Sequence, residues 1–361
     1  MSNEKADSVL IEGLRSALIA FLIILGISFV LSIVVNFTSY ERFNEIMSGT
    51  LGGNKGVTAS SIIKITFAIF NLSLFNTLGS VKLGLLIFLI IPIIAFWISN
   101  KHINNRGDIN ITNIKIYIIT SLSFGVLQLI ISLITAGEIV EDLNINFASI
   151  GNIISTILIT FLLQVFIKVN YKSNFRSEGV KAFKNTYRII LFIGAVVGLV
   201  AIVYGIRSQS KDIIILLTSI IILLPNVIAY TCFYMMGLTL EFNDKLQNAL
   251  EFIGIDASLE SMMIVRYIGV LVFVLIVIIV IYRMNKDRLI INTIIYSASI
   301  GLFMGILAYL SKIDIKQIPI LGTITISVNS LLLSIIIPIA MVWIIVLIYY
   351  LILKIAEIIR A

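Results

Sequence analysis

One histidine, one cysteine, two tryptophans and four prolines stand in 361 residues, and only 12% of the chain is charged. His102 alone cannot make a multi-histidine metal site, and it gives a Ser-His-Asp arrangement almost nothing to build on. Cys232 alone excludes a disulfide scaffold, and it reads as a small buried apolar residue rather than a nucleophile. HExxH, CxxC and glycine-rich phosphate-loop patterns are missing too. The expectation is no enzyme, no cofactor and no metal. A soluble domain carries about 25% charged residues, so this chain could not cover a globule with ionised groups. Its 59% hydrophobic content excludes disorder. The remaining class is a polytopic membrane protein.

What the sequence has is apolar runs. A helix needs about 20 mainly apolar residues to cross roughly 30 Å of hydrocarbon, with its backbone bonded internally. Eight runs qualify: 16–37, 83–98, 114–134, 150–169, 189–204, 267–284, 289–310 and 331–353. The first is too long for a cleaved signal and reads as a signal anchor. Two further runs are ambiguous. Residues 62–78 contain Lys64, Asn71 and Asn76 and read as an amphipathic helix lying flat at the interface, or as a segment dipping in to line a polar cavity. Residues 213–240 are long and carry Pro225-Asn226 at their centre.

Short basic loops stay in the cytoplasm. Lys168, Lys172, Arg176, Lys181, Lys184 and Arg188 therefore mark an inner loop, and Glu138, Glu141 and Asp142 an outer one. The N-terminus is then cytoplasmic if 62–78 does not cross. If 213–240 crosses once, the basic loop 283–288 falls outside, against the rule. If it is re-entrant and breaks at Pro225-Asn226, that loop returns inside, and this is the favoured topology. The expected fold is an all-α polytopic transmembrane helical bundle of eight or nine spans, with one or two re-entrant or interfacial segments. Its organisation is a cytoplasmic N-terminus at 1–15, a first membrane half at 16–170, a basic cytoplasmic loop at 171–188 and a second membrane half at 189–361.

An internal echo suggests two related halves. Val81-Lys82-Leu83-Gly84 resembles Val265-Arg266-Tyr267-Ile268-Gly269, each followed by an aliphatic run, a basic loop and two more spans. The alternative is that aliphatic spans simply resemble one another.

Pro225-Asn226, with Tyr230 and Thr231 after it, is the leading pathway candidate, because proline frees a carbonyl and asparagine offers both donors and acceptors. A packing kink bonded to a neighbouring helix is the alternative. Asn71 and Asn76 join the candidate pathway. Lys82 and Arg266 sit at the outer ends of two spans, for headgroup or anion contact. Aromatic residues at 175, 183 and 187 share one helical face, and the basic Arg176, Lys181 and Lys184 lie elsewhere on the turn, suiting anionic inner-leaflet lipids or a cytoplasmic partner. A homo-oligomer is a further option. The formal charge of +7 lies in loops without an aromatic-interleaved surface, so nucleic acid is not an expected partner. Spans nearly free of Asp, Glu and His argue against a proton-driven carrier. The expected function is a permease- or channel-like protein of the cell membrane for a small or amphiphilic solute, near Pro225-Asn226. The alternative is a non-transporting assembly or envelope factor acting through helix packing and the basic loop.

Overall fold

The computed structural model describes residues 2–51, 59–77, 81–104, 111–140, 143–145, 147–171, 177–209, 213–238, 240–242, 259–318, 322–328 and 330–360. Arg106, Asp108, Glu141, Asp142, Lys172, Phe175, Arg176 and most of the acidic loop 241–260 lie outside these residues. The chain forms two compact units, Met1–Lys82 with Phe88–Lys172, and Leu83–Ile87 with Ser173–Ala361.

The first unit is α1 (Ser2–Leu51), α2 (Ala59–Ser73), α3 (Ile90–Ser99), α4 (Lys101–Asn104), α5 (Ile111–Ile134) and α6 (Ile150–Tyr171). Strand β1 (Val81–Leu83) ends where the second unit begins, and β2 (Gly137–Val140) pairs antiparallel with β3 (Leu143–Ile145) between α5 and α6. The second unit is α7 (Glu178–Gln209), α8 (Ile213–Met235), β4 (Leu240–Phe242), α9 (Leu259–Tyr282), α10 (Leu289–Ser311), β5 (Ile313–Ile318), β6 (Gly322–Val328) and α11 (Leu331–Arg360). The all-α architecture holds, with a small sheet of order β1-β5-β6-β4 that the apolar runs did not announce.

Among the described residues, five helical stretches are long and apolar enough to cross a membrane: Asp7–Val34, Ile111–Ile134, Ile150–Asn170, Lys286–Ser311 and Leu331–Ile355. Ile62–Ser73, Leu86–Ser99 and Arg266–Tyr282 are shorter apolar helices. Burial is inverted relative to a soluble protein. On α6 the apolar row Ile150, Ile154, Leu158 and Leu162 faces outward, at 77%, 52%, 54% and 36% exposure. Asn152, Thr156, Thr160, Gln164 and Lys168, also spaced by four, are buried. Water would penalise that arrangement and lipid favours it, so these helices fit a membrane-embedded protein.

Element order and packing repeat between the units. The pairs α1–α2, α1–α3, α1–α5, α2–α5, α3–α6 and α5–α6 pack in the first. Their counterparts α7–α8, α7–α9, α7–α10, α8–α10, α9–α11 and α10–α11 pack in the second, where α8–α9 also packs without a comparable α2–α3 pair among the described residues of the first. In each, a strand pair separates the last two helices. Both α2 and α8 end in the same turn. Asn76 N–H bonds the Asn71 carbonyl and Phe75 N–H that of Leu72, while Leu238 N–H bonds Phe233 and Gly237 N–H bonds Tyr234. This is the Schellman pattern, with its left-handed residue at Phe75 (φ 58°) and Gly237 (φ 73°).

Several expectations are corrected. Residues 83–98 are not one continuous α-helix: Val81–Leu83 is a strand, Leu86–Leu89 a 3₁₀ turn and only Ile90–Ser99 α-helical. The echoed segments also differ, since Val81–Leu83 is extended and 265–269 lies inside α9, so the repeat does not run through that match. Residues 62–78 do not lie flat, because Phe70, Asn71, Ser73, Leu74, Phe75 and Asn76 are all buried in the first unit. The helix does not break at Pro225; α8 continues through it, and the chain turns instead at Gly237. Residues 178–188 are the opening turns of α7 rather than a loop.

Candidate functional site

The buried stripe of α6 meets a second one on α5, which buries Asn113, Tyr117, Ser121, Gln128 and Ser132. The two helices run antiparallel with this polar face shared. Gly125 lets them close, since a Cβ there would lie 2.6 Å from an Ile157 side-chain carbon.

Two polar layers result. In one, Gln164 Nε2 donates to Ser121 Oγ (2.9 Å) and to the Thr160 carbonyl (3.1 Å), and its Oε1 accepts from Asn100 Nδ2 (3.0 Å). In the other, Asn71 Oδ1 accepts from Gln128 Nε2 (2.9 Å) and Asn76 Nδ2 (3.0 Å), and Asn76 Oδ1 accepts from Thr156 Oγ1 (3.1 Å). Ser132 Oγ accepts from Gln128 Nε2 at 3.0 Å. Asn152 closes the end of this layer, its Oδ1 accepting from Thr77 N–H (2.9 Å) and Oγ1 (3.0 Å). Asn100 Oδ1 and Gln128 Oε1 are buried and have no partner. Between the layers lies Phe124, stacked on Phe70 with centroids 6.2 Å apart and packed against Phe21 at 5.9 Å and Phe96 at 5.4 Å.

At the far end of the α6 stripe Lys168 is fully buried, and its Nζ donates to the Ile103 carbonyl at the end of α4 (3.1 Å). No family model, characterised protein or solved structure matches this chain. The site must therefore be judged on its own geometry.

The second unit holds the proline–asparagine cluster. Asn226 Nδ2 donates to the Gly84 carbonyl (2.6 Å) and the Ser311 carbonyl (3.4 Å), and Oδ1 accepts from Leu86 N–H (2.9 Å). Tyr230 OH also donates to the Ser311 carbonyl (2.9 Å), whereas Thr231 Oγ1 turns back to Val227 of its own helix. Gly84 admits no side chain: a Cβ would lie 2.3 Å from the carbonyl oxygens of Leu310 and Lys312. These partners are all backbone, so Asn226 serves the irregular stretch at 84–86.

Arg266 donates to the Gly237 carbonyl and caps the end of α8. Lys82 is buried, at 8% exposure. Lys181 is exposed, but Lys184 is buried, so it is not available to lipid headgroups. Among the described residues no group of three or more His, Cys, Asp and Glu side chains is placed to hold a metal.

Asn71 and Asn76 thus come together with Gln128, Ser132 and Thr156, which the reading of the sequence passed over. The signal was there: polar residues at 152, 156, 160, 164 and 168, and at 113, 117, 121, 128 and 132, recur at helical spacings of four and seven within apolar runs.

Proposed function

We propose that the protein is a permease-like protein of the cell membrane whose path follows the polar face shared by α5 and α6 in the first unit. The observation that carries this reading is the length of the stripe. Asn152 to Gln164 covers twelve residues, or about 18 Å along a helix, more than half of the hydrocarbon thickness. Polar side chains at that depth are expensive unless they pair or serve a solute.

The same reading makes the chain two copies of one unit, each with four crossing stretches and one re-entrant helix. The crossing stretches are α1, the apolar stretch Leu86–Ser99 (which ends in α3 and is continued by α4), α5 and α6, then α7, α9, α10 and α11; the re-entrant helices are α2 and α8. Supporting this, Cys232 Sγ reaches the Ile190 carbonyl and Gly194 packs on Ile228, so α7 and α8 are antiparallel. Cys232 is thus level with a residue twelve positions into α7, and α8 stops roughly 13 Å short of the start of α7. The chain then reverses at Gly237 and β4 pairs with β6, whose Ile326 also pairs with Ile313, just past the end of α10. The basic loop after α9, by contrast, reaches the start of α7, where Asn285 N–H donates to Glu178 Oε2 (2.7 Å). Eight spans, both termini in the cytoplasm and the three basic loops at 101–115, 168–188 and 283–288 inside then follow together.

Flux in proteoliposomes tests the transport reading. Asn71→Leu with Gln164→Leu is expected to abolish solute flux that wild-type protein sustains. Unchanged flux removes the path from the α5–α6 face.

A further inference from the structure

The path just proposed has a selectivity that its unpaired atoms define, and the following rests on that reading. We infer that the first unit takes a small uncharged solute rich in hydrogen-bond donors, of the polyol or urea class, at two stations separated by Phe124.

Each polar layer contains one amide oxygen with nothing to accept from. Gln128 Oε1 marks the outer station and Asn100 Oδ1 the inner one, and both residues are at least 99% buried. A buried acceptor left empty is costly, and a ligand N–H or O–H is what it lacks. Most donors at the stations are already engaged: both N–H groups of Gln128 Nε2, with Asn71 and Ser132, and one N–H of Asn100 Nδ2, with Gln164. The stations therefore offer acceptors and hold back donors, which disfavours anions.

Cations are disfavoured differently. No carboxylate lies on either stripe, and the one ionisable amine on the α6 stripe, Lys168, stands one turn beyond Gln164. A positive group beside a narrow path raises the barrier for a second positive charge. Neutral molecules with several donors remain.

Phe124 divides the stations. On α5 it follows Ser121 by three residues and precedes Gln128 by four, so it shares their face. Across from it on α6 is Thr160, whose hydroxyl is spent on the Thr156 carbonyl of its own helix (2.8 Å). The hydroxyl proton of that layer is therefore spent within its own helix, and the stacked rings of Phe70 and Phe124 seal it.

Stopped-flow light scattering on proteoliposomes, with gradients of glycerol, urea or potassium chloride, tests this. Wild-type protein is expected to pass glycerol and urea and to exclude potassium chloride. Gln128→Met keeps the volume and removes the acceptor, and should slow both neutral probes by about tenfold, the factor given by one lost hydrogen bond. Phe124→Leu thins the seal and should speed both by several-fold while potassium chloride stays excluded, a pattern no leaky, misfolded protein gives. Passage of potassium chloride but not of glycerol or urea overturns the solute class and leaves the transport reading standing. Neutral flux indifferent to both substitutions overturns the two stations. Absence of flux for all three probes sinks the transport reading itself.

Discussion

Asn226 satisfies one backbone N–H and two carbonyls with a single amide. Non-helical backbone deep in a bundle is tolerated only where such partners exist. Asn226→Leu leaves Leu86 N–H and the Gly84 carbonyl unpaired, and each orphan costs about 1–3 kcal/mol. The variant is expected to melt well below wild type in detergent, by intrinsic fluorescence. An unchanged melting temperature removes Asn226 from the packing of this stretch. The dipeptide Pro225-Asn226 drew attention in the sequence for a correct chemical reason, the twofold bonding capacity of asparagine. Its partners were not legible there, because they lie 140 and 142 positions away and are backbone atoms, which any residue supplies.

At the scale of elements, the α10–α11 contact is set by Gly301-Leu-Phe-Met-Gly305, a small-xxx-small spacing that brings helices close without a hydrophobic driving force. A Cβ at Gly301 would meet the Ile335 carbonyl at 2.8 Å, whereas at Gly305 the nearest atoms belong to the flexible Ile335 side chain. Gly301→Ala is therefore expected to cost more than Gly305→Ala, about 1–3 kcal/mol against less than that. Equal losses in denaturant titrations would contradict the packing. At the end of α8, Gly237 holds φ 73° with ordinary clearance, its Cβ position 3.5 Å from Val270. Gly237→Ala should therefore cost only the left-handed penalty of roughly 1 kcal/mol. A loss several times larger would mean that the turn is crowded. The polar stripes of α5 and α6 were written in the sequence at helical spacing, yet length and hydropathy alone draw attention to what is apolar. Periodicity of the polar minority inside a span is the more informative pattern here. The flat placement expected for α2 failed for a related reason: Asn71 and Asn76 look like surface residues until Gln128 and Thr156 are there to receive them.

For the whole molecule, the proposed topology is tested with single cysteines in a Cys232→Ser background. Lys181→Cys and Asn285→Cys are expected to label from one side of the membrane, and Ala136→Cys from the other, using an impermeant maleimide. Labelling of residues 181 and 285 from opposite sides eliminates the re-entrant reading of α8. The charge pattern gives the first half one expected orientation, because an acidic and a basic loop lie next to each other there. It gives no such answer for 213–240, where a helix of crossing length is followed by a turn at Gly237 and a short strand. Hydropathy cannot separate a helix that exits from one that reverses, since both are equally apolar.

The short stretch Leu83–Ile87 belongs to the second unit although it is made with the first. Leu86 and Gly84 leave the ribosome about 140 residues ahead of the asparagine that binds them. At roughly 5–20 residues per second, their polar backbone waits on the order of 7–28 s for its partner. During that interval the nascent first unit holds open amide and carbonyl groups that lipid cannot satisfy, so the order of synthesis exposes this segment to whatever insertion machinery is at hand.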